Sequence, residues 1–564
     1  LQSRLDFFEE QIDLSDPALL EARLQDLLHR EIHSVQELKL WLKEQDLFME
    51  QIQEILSGVY IAFHRYNDDA IIKQRYEYHQ QVISPLLKKY GYQLTRKLVN
   101  SPFVEELDSQ FDRLIQSKRN AERLFREENI PLEVEEAELI NQYFDITGKM
   151  TVTWQGEEKT LPQMSIYLKD GDRQIRERAW RLISDELFRH EAQLNDIMSK
   201  LIRLRQQKAE NAGFKNYRDY IFAMYEREYT PEDTYQFYEA VKKHVVPVVD
   251  ELQRKHQREL GLADYKLWDT QAVPQGKRPL KPFDQTEQLV KGVIRIFERM
   301  DPQFAHVLRE MEKNKLLDLE RRKGKSPGGF CSRLPITGLS FIFMNAAGRQ
   351  ADLSTLVHEG GHAVQNYLTR DLPVAAYKRA PLEAAELASM TMELFSLDKW
   401  HVFYQEEEDL KRAQKEHLEE IISFFPWAMV IDQFQHWLYT HPEHTPEERN
   451  AKFRELAKEL SHHYVDTEGF ERELETRWLL QLHLFEVPFY YIEYAIAQLG
   501  ALQMWQAYHQ EADLAIRRYK RALALGGSAS LKEIYETAGI RFDFSEKTVK
   551  EMVQFVKQKL EELE

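Results

Sequence analysis

Two histidines four residues apart, in His358-Glu359-Gly360-Gly361-His362, constrain this chain more than any other feature. Four residues is about one turn of an α-helix, so both imidazoles can reach a single metal ion if the stretch is helical. The flanking sequence agrees. Leu353, Leu356, Val357, Val364, Tyr367 and Leu368 recur at the three-four spacing of an apolar helix face, and Asp352 or Ser354 can cap its start. Gly360 and Gly361 run against the pattern, since each costs about 1 kcal/mol inside a helix. Their presence predicts a close neighbour, either another helix or a substrate, that leaves no room for a side chain.

Zinc suits this arrangement. Two neutral imidazoles and one carboxylate leave a coordination position open for water, and the metal lowers the pKa of that water towards about 7. Glu359 is then placed to take the proton and pass it to a leaving amine. The third ligand must come from elsewhere. In the extended pattern H-E-x-x-H-x-x-G-x-x-H, Gln365 stands where the glycine would be and Leu368 where the last histidine would be. The next predicted helix, after Pro381, offers Glu383, Glu386 and Glu393. Glu386 and Glu393 are seven apart and share a face among Ala385, Leu387, Ala388 and Met390, an apolar setting in which carboxylates are uncommon unless paired or metal-bound. Glu383 lies nearer the helix start, where an acid complements the helix dipole.

These residues resemble the zinc peptidases of the thimet oligopeptidase and oligoendopeptidase F family. The likeness is carried by Asp352-Leu-Ser-Thr-Leu-Val-His-Glu-Gly-Gly-His-Ala and by Ala385-Glu386-Leu387-Ala388-Ser389. It covers about residues 145 to 500, and the chain length points to the Pz-peptidase branch. The resemblance implies His358, His362 and Glu386 as the metal ligands, with Glu393 orienting one of them. Gly361 matches the family's H-E-x-G-H form, whereas a larger residue usually stands at the position of Gly360. The resemblance also extends to His483-Leu-Phe-Glu-Val-Pro-Phe-Tyr-Tyr-Ile-Glu-Tyr494. There it implies Tyr491 and Tyr494 as the functional pair, three apart on one helix face. A tyrosine hydroxyl can donate to the oxyanion of acyl transfer. His483 lies close to a family histidine, with its spacing to the tyrosines displaced by one. Tyr490 points differently on a helix and reads as packing.

The rest of the chain sets the frame. Its 21 glycines and 19 prolines are about 4% and 3% of 564 residues, below the usual ~7% and ~5%, so few helix breakers interrupt it. Residues 1 to about 140 read as successive amphipathic helices, as in Val35 to Tyr66 with Leu38, Leu42, Leu47, Met49, Ile52, Ile55 and Leu56. His29, His33, His64 and His79 read there as surface or core histidines. Met150 to Trp154, Gln155-Gly156 and Glu157 to Leu161 alternate and turn like a β-hairpin, followed by a charged helix from Arg173 to Phe188. Gly261 to Pro282 reads as loop, and Arg321-Arg-Lys-Gly-Lys325 as a solvated basic turn. Leu339 to Asn345 is β-branched and aromatic and reads as a strand. It is either an edge on which a peptide main chain can pair or a strand of the core.

The expected architecture is therefore predominantly α-helical. Two helical lobes surround a deep central channel, with a small β-sheet beside the zinc-binding helix. The lobes are residues 1–190, with the hairpin near 150–161, and a catalytic lobe 191–564. A net charge of −18 speaks against nucleic-acid binding, and no run approaches the ~20 apolar residues of a membrane span. Phe424 to Ile431 is a buried helix segment at most. One cysteine, Cys331, and a start, Leu1-Gln2-Ser3-Arg4, without a signal peptide fit a soluble cytoplasmic enzyme. The expected activity is hydrolysis of short oligopeptides by a zinc-bound water that Glu359 activates. A zinc carboxypeptidase trimming C-terminal residues and a helical protein that holds zinc without catalysis are the alternatives.

Overall fold

The computed structural model describes residues 12–274 and 276–564, so the start of the chain lies outside the described residues. Helices dominate, as the scarcity of glycine and proline predicts. The elements that matter below are α1 (Val35–Arg65), the hairpin β1 (Thr151–Trp154) and β2 (Glu157–Thr160), α2 (Arg173–Asn211), α3 (Thr286–Met300) and the strands β3 (Leu317–Glu320), β4 (Phe330–Leu334) and β5 (Leu339–Ala346). They continue with α4 (Gln350–Thr369), α5 (Leu382–Ser396), α6 (Glu407–Thr440), α7 (Leu482–Glu486) and α8 (Tyr491–Gln510).

Two compact units are each built from three chain segments: 1–125, 280–414 and 497–542 in the first, and 126–279, 415–496 and 543–564 in the second. Packing therefore does not follow a single division near residue 190. That position lies inside α2, a continuous 39-residue helix with buried residues from Arg176 to Ala209.

In the first unit, Ser34 caps α1 by accepting from the Glu37 amide at 3.2 Å, and Leu38, Trp41, Leu42, Phe48 and Ile52 enter the core. The polar side of α1 carries an acid ladder. Asp46 accepts from the Ala375 amide at 2.8 Å, Glu50 binds Lys378 Nζ at 2.7 Å, and Glu54 takes the Thr337 amide at 2.9 Å. One helix face thus fastens the β4–β5 turn and the loop that follows α4.

The sheet of this unit has the order β3-β5-β4. β5 is parallel to β3, with Leu317 opposite Ile342, and antiparallel to β4, with Phe330 opposite Phe343. Both sides of β5 are occupied, so the strand read from Leu339 to Asn345 is the core strand and the edges belong to β3 and β4. Helix α4 lies against β4 and β5, with Asn366 donating to Ser340 Oγ at 3.1 Å. The basic turn exposes Arg321, Arg322 and Lys323 as expected, but Lys325 turns inward. Arg65, Arg322 and Lys325 converge on the buried Asp318 carboxylate, and the Lys325 side chain is fully buried. Asp318 sits below the usual carboxylate range, because hydrogen bonds from these cations outweigh its burial.

In the second unit the hairpin forms as expected. Gln155 (φ 52°) and Gly156 (φ 86°) both take left-handed conformations, the signature of a two-residue primed turn. Trp154 and Val152 bury against Met164 and Ala179.

Candidate metal centre

Helix α4 starts earlier than its apolar pattern indicates, at Gln350, and Asp352 caps it from inside the first turn. The Asp352 carboxylate accepts from the Ala347 and Arg349 amides, both at 2.8 Å. Helix α5 begins directly after Pro381 and is enclosed along most of its length, with Ala384, Leu387, Ala388 and Met392 buried.

The two glycines that oppose helix formation are explained by what they face. A Cβ on Gly361 would stand 2.6 Å from Ser389 Cα and 3.0 Å from the Ala388 carbonyl oxygen, both backbone atoms of α5. Gly361 therefore lets the two helices approach backbone to backbone, which draws the carboxylates of α5 towards the histidines of α4. A Cβ on Gly360 would meet the Phe297 ring of α3 at 2.7 Å. The small residue at the position where the resembled family carries a larger one is thus matched by a large aromatic on a neighbouring helix.

This approach brings His358, His362 and Glu386 together, with one ligand atom from each within 4.8 Å of the others. One carboxylate oxygen of Glu386 faces both rings, 3.5 Å from His358 Nε2 and 3.7 Å from His362 Nε2. Ligands at about 2.0–2.1 Å in a tetrahedral zinc site stand roughly 3.4 Å apart, so the donor set and its spacing fit zinc. Ser389 Oγ donates to the same Glu386 oxygen at 3.2 Å. On its far side, His358 Nδ1 pairs with Glu393 Oε1 at 2.7 Å, which leaves Nε2 directed at the group. His362 is braced by the Ala385 carbonyl. Glu383 is buried at the start of α5 and is not part of the cluster.

The electrostatics follow from burial among acids. Burial disfavours a charged His358, but hydrogen bonds to Glu386 and Glu393 outweigh it and hold its pKa well above the ordinary value. Burial pushes His362 down to about 4. Burial also raises Glu359 to about 7, with His358 opposing and Glu386 and Glu393 adding to the rise.

His483, Tyr491 and Tyr494 form a separate group in the second unit, and all three are half-buried. The His483 ring lies 4.9 Å from Tyr491 and 5.7 Å from Tyr494, and the two tyrosines are 5.6 Å apart. His483 Nδ1 meets Gln481 Nε2 at 2.8 Å. Burial raises the Tyr491 phenol to about 12, with a hydrogen bond to Trp427 opposing, so it stays protonated. Tyr490 packs edge-on against Tyr494 at 5.3 Å. The backbone before Tyr491 is held by Arg205, Tyr225, Arg227 and Gln435. Spacing cannot reveal these four, because they lie tens to hundreds of residues from the groups they hold.

A helix with two histidines one turn apart, an intervening glutamate and a facing carboxylate from the next helix form a metallopeptidase-like group. The model of peptidase family M3 matches residues 166–554, and that of the peptidase M3 N-terminal domain matches residues 8–125. The chain belongs to peptidase family M3. It is 24% identical to oligopeptidase PepF of Bacillus subtilis (strain 168) over 432 residues, 74% of this chain and 62% of that protein, so the match spans less than two thirds of PepF. An oligoendopeptidase F homolog of Lactococcus lactis subsp. lactis (strain IL1403) is 20% identical over 533 residues, covering 87% and 84% of the two chains. The solved structure of Pz peptidase A with inhibitor 2 superposes with a TM-score of 0.90 at 26% identity, over 99% of both chains. Among the described residues no helix is long and apolar enough to cross a membrane.

Proposed function

We propose that the protein is a zinc-dependent endopeptidase acting on short, flexible oligopeptides. The observation that carries this reading is the convergence of His358, His362 and Glu386 beside Glu359 in a chain of peptidase family M3. His358, His362 and Glu386 hold the metal, and Glu393 keeps His358 in orientation. Zinc bound there supplies Lewis acidity at the scissile carbonyl and lowers the pKa of a water towards about 7. Glu359 accepts the proton lost as water adds to the carbonyl carbon and returns it to the amine nitrogen as the C–N bond breaks. Tyr491 and Tyr494 donate hydrogen bonds from their hydroxyls to the developing oxyanion, a role supported by their resemblance to the family's tyrosine pair. His483 completes the polar edge of that pair.

Oligopeptides are the substrate class that the names of the relatives support. A single cysteine supports action in the reducing cytoplasm. The test is mass spectrometry of the products from one peptide blocked at both ends, together with zinc stoichiometry. Internal cleavage abolished by chelation is the expected result. Release of single C-terminal residues from an unblocked peptide would identify a carboxypeptidase, and one bound zinc without any product would identify a zinc-holding binding protein.

A further inference from the structure

The segment from His483 to Tyr494 is not built like the metal centre. His483 sits on α7, a helix of five residues, and Tyr491 opens α8. Residues 487–490 between them follow no regular element, and Phe489 holds φ 66° while fully buried. A non-glycine residue keeps that conformation only where its surroundings over-determine it. Here they do. The Phe489 amide donates to Gln435 Oε1 at 2.6 Å, and its carbonyl accepts from Arg227 Nη2. The Pro488 carbonyl accepts from Tyr225 Oη at 3.3 Å. Within α7, Arg205 takes the Leu484 carbonyl at 3.2 Å and the Phe485 carbonyl beside it.

Both arginines are buried, with side-chain exposures of 0% for Arg205 and 1% for Arg227. Arg205 pairs with Glu136 at 2.6 Å and with Tyr439 Oη at 2.7 Å. The same Arg227 nitrogen that holds the Phe489 carbonyl also donates at 2.6 Å to Glu493, which lies between Tyr491 and Tyr494 on α8. Buried ion pairs are poor devices for stability alone, because apolar residues of similar size usually serve as well. A guanidinium does what an apolar side chain cannot. It gathers carbonyls and a carboxylate that no secondary structure aligns, at a fixed angle.

We propose that Arg227, seconded by Arg205, is a positioning residue for the tyrosine pair: by tying the Phe489 carbonyl to Glu493 it sets where α8 begins and where Tyr491 and Tyr494 point. The proposal rests on the reading of those tyrosines as oxyanion donors. Displacing a donor by about an ångström lowers turnover by up to roughly 100-fold without weakening substrate binding.

The test uses the full-length, zinc-loaded enzyme and one peptide substrate. Arg227→Lys keeps a cation for Glu493, but its stem is shorter by about one bond and cannot place the nitrogen where Nη2 meets both the Phe489 carbonyl and Glu493. Its kcat is expected to fall about 10- to 100-fold with KM within about twofold. In a Tyr491→Phe/Tyr494→Phe background the same change is expected to have no further effect on kcat. If Arg227→Lys fails to fold, Tyr225→Phe carries the test. It removes one hydroxyl from the Pro488 carbonyl and is expected to lower kcat about three- to tenfold, again only when the tyrosines are present. Unchanged kcat in the tyrosine double variant overturns the tyrosine reading and the proposal with it. A full tyrosine effect beside unchanged kcat in Arg227→Lys and Tyr225→Phe, or an equal loss in both backgrounds, overturns the proposal alone.

Discussion

The metal group and the tyrosine group reach their geometry by opposite means. His358, His362, Glu386 and Glu393 all stand on two regular helices, and the distances among them follow from helix spacing once Gly361 allows α4 and α5 to meet. His483 stands on a five-residue helix and Tyr491 and Tyr494 on the first turn of another, joined through the left-handed Phe489. Their backbone is held by side chains from residues 205, 225, 227 and 435. The comparison teaches where precision comes from. A regular element carries its own geometry, so neighbours need only avoid collision. An irregular one must be held group by group, and the holders can lie hundreds of residues away.

The largest effect that would break this picture concerns the metal helix. Glu359→Gln is expected to retain zinc, measured by elemental analysis, while kcat falls about 10²- to 10⁴-fold, because an amide cannot accept the proton. Full turnover in that variant would remove Glu359 from the reaction. Next comes the tyrosine group. Tyr491→Phe or Tyr494→Phe is expected to lower kcat by about 10²–10³ with KM little changed. A loss of melting temperature without a loss of kcat would make them ordinary packing residues.

Smaller effects sharpen the account of the helix contact. Gly361→Ala is expected to cost about 1–3 kcal/mol in chemical denaturation, because the new methyl meets backbone that cannot turn aside. Gly360→Ala meets only the Phe297 ring, so a second change, Phe297→Leu, should restore stability to it and not to Gly361→Ala. Equal rescue of both would mean that α5 does not press on Gly361.

The smallest effect tests the acid ladder of α1. Burial raises Asp46 to about 6, against the Ala375 amide hydrogen bond that lowers it. Its folded pKa lies above the unfolded value of 3.8, so its contribution is fully present below that pH and is lost as pH rises through about 6. Asp46→Asn is therefore expected to match the parent below about pH 4 and to exceed it by up to about 3 kcal/mol at pH 7. In the second unit Glu136 behaves oppositely. Burial raises it, but Arg205 and Lys208 outweigh that and bring it to about 2, so its contribution is lost as pH falls from its ordinary range towards 2. Denaturation curves across pH 3–8 check both slopes, and a flat difference between Asp46→Asn and the parent would remove Asp46 from the ledger.

Much of this was legible in one dimension. The helices of residues 35–65 and 350–369, the hairpin turning at Gln155-Gly156 and the strand after Gly338 all follow from apolar periodicity and turn residues. The strand's place in its sheet was not legible, since periodicity does not say whether one neighbour or two will pair with it. The division into compact units was not legible for a related reason. A change of pattern after a hairpin marks a local event, whereas compact units are assembled from segments far apart in the chain. In the basic run at 321–325, composition shows the exposed turn but cannot show that Arg322 and Lys325 reach the buried Asp318.

By itself the sequence determined that His358, Glu359 and His362 come together on α4, because helix spacing alone sets their relative places. It also determined that two glycines there need a close neighbour. Only the tertiary structure decided which neighbours these are, Ser389 and Ala388 for Gly361 and Phe297 for Gly360. It alone brought Glu386 to both imidazoles and joined Arg227 to Phe489 and Glu493. The reason is physical: dihedral regularity propagates along a chain for a few residues, while contacts across hundreds of residues are chosen by packing, which has no period in the sequence.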